Sequence, residues 1–485
     1  STEPATDNAA EEGGIMGRSR KENRECSSPK IDPMANIRKA AHEKLDCWID
    51  ELSPLLTEEK PPTLMEVSTR ITETRSTLTG GVLDSINKEI HKHLLTQKQS
   101  HCPKCKKILM RKRVDNKNYN TLQGSGSIER PYYHCRDCGI GFHPLDEAME
   151  LTRSVHQLDI EEKVLKLATE MPYKRAAELV SDISGIPVSL SNHHGHDTLC
   201  DVSGIADLDI VVPSQEEIEQ RIEEASQYYP KEKPVLVVAL DGAYTPTRPR
   251  SNRKGKRGAG EWKEVKGVRL YLPIEKGRII QIASWHQIQN KDQMLADIKE
   301  IAKLIPTEKV RIALLGDGAS WVWNTLTECF PDGKEVLDYF HCKEHIHKVA
   351  EAHYDDPVKM EQWVESAMAR LSLNEVDSVI RGLQRFKSNP LESDELDKLI
   401  TYLSNHRGRF DYDRCKREGI PIGSGAIESA NKFISHIRLK RSGAWWVVEN
   451  GNGMLRLRCA LYNGTFDRVF DRYRTKKIRQ METNG

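Results

Sequence analysis

At 485 residues, with 38% hydrophobic and 30% charged content, the chain is long enough for about three domains and has a globular composition. Its longest aliphatic run, Val235 to Leu240, is far too short to span a bilayer, which argues against a helical membrane protein. The net charge of +1 gives no reason to expect a polyanionic partner, yet that average hides strong local segregation.

Residues 1–35 mix Ser, Glu, Asn, Gly, Pro and Lys and read as a disordered tail. No apolar segment opens the chain, so a cytoplasmic location is expected. From 36 to 98, apolar residues recur at helical spacing (Leu45, Trp48, Ile49, Leu52; Leu83, Ile86, Ile90, Leu94) and predict amphipathic helices. Cys102 and Cys105 then form one CxxC pair and Cys135 and Cys138 a second, 29 residues further on. Two sulfurs at that spacing reach one tetrahedral ion, so 99–150 is expected to be a zinc ribbon with a structural Zn²⁺ on four thiolates. His101, His134 and His143 are spare ligand candidates ranking below the cysteines. Basic residues between the pairs, including Lys106, Lys107 and Arg111, point the ribbon toward DNA as well. Residues 151–205 carry short helical patterns around Gly185 and a new helix start near Ser189 to Ser191, as in a helix-turn-helix DNA-binding domain. An acidic helix or linker follows at 213–228.

The next stretch predicts strands over 235–240, 264–272 and 278–285, with a basic loop at 246–262. A helix over 290–304, a strand over 309–315, a helix over 319–328 and a strand over 334–338 follow. Three strands, a helix, a strand, a helix and a strand is the element order of the ribonuclease H fold. The expected architecture is therefore α/β, a ribonuclease H-like mixed sheet built from 206–340 and 419–465. An all-helical insertion at 341–418 interrupts it, and a basic tail at 466–485 closes the chain. Two strands end in Asp-Gly-Ala, at Asp241 and Asp317, and an Asp at the carboxyl edge of such a sheet stands where α/β folds place their chemistry. Ser424 is placed to cap a helix whose first turn carries Glu428. Three carboxylates meeting there would offer the hard oxygen ligands that Mg²⁺ takes. Asp411 and Asp413 are rival third ligands from an apparent loop.

Three basic stripes flank these acids: Arg248 to Lys263 (seven Lys or Arg, one Glu), Lys432 to Arg441 (four, no acid) and Arg468 to Arg479 (six, one acid). Stripes of this kind are the footprint of a phosphate backbone. Arg250, Arg253, Lys254, Lys256, Arg257, Lys432, Arg438, Lys440 and Arg441 are the candidate DNA contacts.

The paired CxxC with Tyr132-Tyr133, His143-Pro-Leu-Asp146, Leu240-Asp241-Gly and Gly316-Asp317-Gly-Ala-Ser-Trp321 recur in a fixed order with three further tokens. Those are Asp338-Tyr-Phe-His341, Gly423-Ser-Gly-Ala-Ile-Glu428 and Arg441-Ser-Gly-Ala-Trp445. Over about residues 100 to 465 the chain thus resembles a bacterial insertion-sequence transposase of the DDE class, in the Kra-type family with a helical insertion and a C/DxxH signature. The resemblance implies that Asp241, Asp317 and Glu428 bind two Mg²⁺ or Mn²⁺ ions, with Asp338 and His341 as auxiliary active-site residues. It also implies cutting of double-stranded DNA at inverted-repeat ends and joining of the 3′-hydroxyls to target DNA. The protein would be a nucleoid-associated homodimer or larger assembly on DNA.

Two other readings stay open. One is a domesticated relative that binds DNA without cutting. The other takes His341-Cys-Lys-Glu344-His345 as a zinc metallopeptidase motif, which needs a third ligand downstream. Trp363, Trp445 and Trp446 read first as packing residues, although Trp363 could stack on a flipped base.

Overall fold

The computed structural model describes residues 32–57, 60–188, 192–250, 258–386 and 393–484. Residues 1–31 of the tail expected over 1–35, the helix start at Ser189 to Ser191 and four DNA-contact candidates (Arg253, Lys254, Lys256, Arg257) lie outside the described residues, while the last residues of that expected tail, from Pro33, are helical.

Helix α1 (Pro33–Leu52) is capped by Asp32, and α2 (Leu64–Ile90) opens with a full capping box between Thr63 and Glu66. The short α3 (Lys92–Thr96) leads into strands β1 (Gln99–His101) and β2 (Ile108–Met110), which pair antiparallel. Strands β3 (Arg113–Thr121), β4 (Gly124–Cys135) and β5 (Ile140–Phe142) form an antiparallel sheet, followed by α4 (Pro144–Ala148). Helix α2 crosses the β3–β4 hairpin very closely: a Cβ on Gly124 would lie 2.4 Å from the Ser76 carbonyl oxygen, and its φ is +152°. Only glycine serves there. Helices α5 (Leu158–Ala168), α6 (Tyr173–Ser184) and α7 (Asn192–Ser203) follow, α6 ending at left-handed Gly185. The short α8 (Leu208–Val211) precedes α9 (Gln215–Ser226), which the Ser214–Glu217 capping box opens.

A five-stranded mixed sheet comes next. Its strands are β6 (Val235–Thr247), β7 (Glu261–Pro273), β8 (Ile279–Gln287), β9 (Arg311–Gly316) and β10 (Lys334–Leu337), with helices α10 (Lys291–Ala302) and α11 (Ser320–Cys329) in the crossovers. The order across the sheet is β10-β9-β6-β7-β8; β6, β7 and β8 are antiparallel neighbours, and β9 and β10 run parallel to β6. Every side chain from Val235 to Leu240 is buried, as a central strand covered on both faces requires. One boundary differs from expectation: β6 does not stop at Asp241 but runs six residues further, paired with β7 as a two-stranded ribbon. The ribbon takes up both ends of the expected basic loop. The segment around Trp446 clasps its far end, through a bridge to Thr247 and the Arg248 N–H donated to the Trp446 carbonyl.

Helices α12 (Tyr339–His353), α13 (Pro357–Ser372), α14 (Val376–Gln384), α15 (Ser393–Asn405) and α16 (Tyr412–Arg417) pack into the same core as the sheet. Trp363 belongs to that packing, its ring 5.1 Å from that of Phe386. The chain then returns through α17 (Gly425–Asn431), one π-helical turn (Lys432–His436) and α18 (Ile437–Leu439) to α19 (Val448–Asn463) and α20 (Phe466–Asn484). The segment expected as a basic tail is thus helix α20, anchored by buried Phe466, Val469, Phe470 and Tyr473.

A π turn leaves carbonyls out of the usual ladder, and such turns concentrate at functional sites. Here Arg458 of α19, fully buried, takes them up: its Nε donates to the Phe433 oxygen at 3.0 Å and the Ile434 oxygen at 2.9 Å. Its Nη1 donates to the Thr169 oxygen at 2.7 Å and pairs with Glu170 at 2.8 Å. Replacing Arg458 by Ala strands these carbonyls and should cost about 3–5 kcal/mol. Urea unfolding of Arg458→Ala and Arg458→Lys measures this; Lys should recover little, because one ammonium cannot reproduce the guanidinium fork.

Candidate active site

The parallel pairing of β6 with β9 ends at Ala239 opposite Leu315. Asp241 and Asp317 each lie two residues beyond that last pair, so strand register alone carries both to the same edge. Asp241 Oδ1 accepts from the Gly242 N–H at 2.7 Å and Oδ2 from Asn431 Nδ2 at 2.7 Å. Burial, joined by the charges of Asp317 and Glu428, pushes its carboxyl up to about 6. Burial is the main cause, and the charges of two acids from distant stretches of chain add to it.

Asp317 Oδ1 accepts from the Ala319 N–H at 3.0 Å. The following Gly318 has φ +113°, and a Cβ there would lie 2.6 Å from the Tyr402 ring. The Tyr402 hydroxyl donates to the Asp317 carbonyl at 3.1 Å, so α15 of the helical insertion braces the loop that carries the second acid. Ser424 stands at the N-cap of α17 as expected, but its hydroxyl caps no backbone group; it donates to Glu428 Oε1 at 2.8 Å and steadies that side chain.

Asp338 ties these pieces together. It is buried, its Oδ1 accepts from the His341 N–H at 2.6 Å, and its Oδ2 accepts from the Ser424 N–H. Its own N–H donates to the Gly316 carbonyl at 2.9 Å. Both oxygens therefore serve backbone groups, fixing the start of α12 and the approach to α17. His341 Nε2 lies 3.2 Å from His345 Nε2, and the largely exposed Glu344 lies 3.8 Å from His341 Nδ1. Arg269 of β7, also buried, donates to the Ala426 carbonyl and anchors the turn carrying Glu428. Neither Asp411 nor Asp413 is among the main influences on Asp241.

The described DNA candidates divide. Arg250, Lys432 and Arg441 are exposed and Lys440 is half-buried. Arg438 is corrected: it is buried, its Nε donating to the Ala168 carbonyl at 3.0 Å and its guanidinium lying 5.1 Å from the Trp446 ring, so it is committed to packing.

Cys102, Cys105, Cys135 and Cys138 bring their sulfurs within 4.8 Å of one another, a set that could hold a structural metal such as zinc. Each CxxC turns back through a residue in left-handed conformation, Lys106 (φ 61°) in the first and Gly139 (φ 69°) in the second. The Cys105 backbone N–H pulls the Cys102 thiol down to about 6, whereas hydrogen bonding with Cys105 pushes Cys138 up to about 12. Four thiols this close do not all ionise without a cation, so the donor set fits one. His143 bonds Asp115 at 3.0 Å instead of joining them. Among the described residues, this is the one set of three or more metal-ligating groups that tight. Among the described residues, His341 and His345 gain no third ligand at that distance. The three carboxylates do not close to it either; each keeps one oxygen in a local hydrogen bond.

Asn431, His286, Arg269 and Tyr402 are site residues that the sequence did not expose. Asn431 had one readable signal, its i+3 spacing from Glu428 on a helical face.

Two measurements follow. Metal analysis of the purified chain should give one zinc per chain, lost on Cys102→Ser; a zinc-free folded ribbon contradicts the assignment. Asp241 has a folded pKa above its ordinary 3.8, so its contribution to stability is full below that value and lost as pH rises through about 6. Without added Mg²⁺ or Mn²⁺, the wild type should therefore lose up to about 3 kcal/mol of stability between pH 4 and pH 7, a loss that Asp241→Asn should not share.

Comparison with known proteins places the chain. UPF0236 proteins of Caldanaerobacter subterraneus subsp. tengcongensis are 24% identical over 422 residues in one case and 423 in another, covering 83% of this chain and 78% of each relative. A Drosophila P element transposase strand transfer complex aligns over 66% of this chain and 82% of its own, at 10% identity and a TM-score of 0.25, a likeness too loose to carry an argument. The model of UPF0236, "Uncharacterised protein family (UPF0236)", matches residues 59–476, and the chain belongs to that family.

Proposed function

We propose that this protein is a DNA transposase of the DDE class, similar to the Kra-type insertion-sequence enzymes, with Asp241, Asp317 and Glu428 as its catalytic acids. The observation that carries the reading is the strand register that takes Asp241 and Asp317 to one sheet edge, where burial and the charges of Asp317 and Glu428 raise the Asp241 carboxyl. The strand order β10-β9-β6-β7-β8, with β6, β7 and β8 antiparallel neighbours and β9 and β10 parallel to β6, is what a ribonuclease H-like sheet calls for and supports the reading. The name of the first relative joins eleven locus designations, as expected of a gene that multiplies within its genome.

An all-oxygen acidic set suits Mg²⁺ or Mn²⁺. Two such ions, when bound, supply the Lewis acidity that phosphodiester hydrolysis and strand transfer require. Asp338 positions the Glu428 turn through the Ser424 N–H, and His341 stands half-exposed at the start of α12 beside it. Arg250, Lys432 and Arg441 offer exposed cations to the phosphate backbone. The ribbon at 99–150 and the helices at 151–205 are assigned to binding the element's ends, and two ends held together call for at least a dimer.

Incubation with duplex carrying the element's terminal repeat and Mg²⁺ tests the proposal. Wild-type protein should nick the end, and Asp241→Ala and Asp317→Ala should each lower nicking by more than about 100-fold, beyond the usual cost of losing an outer metal-site partner, while still binding DNA. Binding without any nicking by wild type would instead favour the domesticated reading.

A further inference from the structure

Three neighbouring strands place Asp241, Gly267 and His286 in one cross-strand row: Asp241 pairs with Gly267, and Gly267 with His286. The glycine leaves a slot between two functional side chains. A Cβ on Gly267 would lie 2.4 Å from the His286 ring and 3.0 Å from Asn431 Oδ1. Into that slot reaches Asn431 from α17, the same helix that carries Glu428.

Resting on the function proposed above, we infer that Asn431, oriented by His286, is the positioning residue that aims the Asp241 carboxylate at the divalent cation. The hydrogen-bond chemistry allows one arrangement. An ionised carboxylate only accepts, so Asn431 Nδ2 donates to Asp241 Oδ2 at 2.7 Å. Asn431 Oδ1 then faces His286 Nε2 at 2.9 Å, and that nitrogen must carry the proton. His286 is fully buried, which favours the neutral ring, and its Nδ1 finds no partner among the described residues. A flipped amide would set a carbonyl against the carboxylate, so the Asp241 charge fixes the amide, and the His286 Nε2–H then holds it from the other side. The Gly242 N–H holds Asp241 Oδ1, leaving each carboxylate oxygen one further lone pair for a cation. The π turn beginning at Lys432, closed by Arg458, follows directly and fixes the phase of Asn431.

The test is Mn²⁺ binding by the full-length, zinc-loaded protein, read by electron paramagnetic resonance of free Mn²⁺. Asn431→Leu and His286→Phe, both near-isosteric, should weaken Mn²⁺ binding about 10- to 100-fold, as loss of an outer partner does. His286→Gln, which restores an N–H donor, should recover most of it. DNA affinity should stay unchanged while the nicking rate at saturating DNA falls. Should either variant unfold, seen by circular dichroism, the His286→Gln and Gly267→Ala pair decides: Gly267→Ala must weaken Mn²⁺ binding and His286→Gln must not. Mn²⁺ binding lost in Asp241→Asn but intact in Asn431→Leu and His286→Phe overturns this inference alone. Mn²⁺ binding that Asp241→Asn does not weaken overturns the cation site and the inference with it.

Discussion

Negative charge gathered around one half-buried carboxylate, Asp241, is the constraint on which the site depends. Asp241 sits at the edge of a sheet whose neighbouring side chains are buried, with two further acids acting on it. Such a carboxylate is costly when ionised unless a cation offsets it. Each acid shares its load with a local donor: Gly242 N–H, Ala319 N–H and the Ser424 hydroxyl. These bonds hold the side chains without neutralising them, leaving a charge that the proposed divalent ions would offset.

The surrounding frame keeps that demand in place. Asp338 fastens the end of β9, the start of α12 and the turn before α17 through three hydrogen bonds of its own. Arg269 holds the same turn from the sheet side. Arg458 joins the π turn behind Glu428 to the carboxyl end of α5, where a cation also faces the negative end of the helix dipole. The helical insertion takes part as well, since Tyr402 braces the Asp317 loop. Cations that look like phosphate ligands in sequence can thus be internal fasteners, as Arg438 is.

How much of this could be read beforehand follows from the range of the forces involved. The strands and helices of the sheet region were legible because apolar periodicity is local, and the two CxxC pairs because ligand spacing is local. Register alone brought Asp241 and Asp317 together once the strands were placed. The continuation of β6 past Asp241 was hidden, because Asp-Gly reads as a turn while its pairing with β7 depends on residues 14 to 24 positions away, from Thr247 with Glu261 to Gly242 with Lys266. His286 was invisible for a similar reason: a polar residue in an apolar strand gains meaning only from Gly267 beside it and Asn431 above it. The structural use of Arg438 and Arg458 rests on carbonyls far away in the chain, and basic character alone could not separate them from exposed Lys432 and Arg441.

Anomalous diffraction from crystals soaked in Mn²⁺ tests the central claim most directly. The account predicts manganese peaks bounded by Asp241, Asp317 and Glu428, the three side chains drawn closer together and Asp241 still bonded to Asn431. Manganese found only at other places, with those carboxylates as far apart as before, would contradict it.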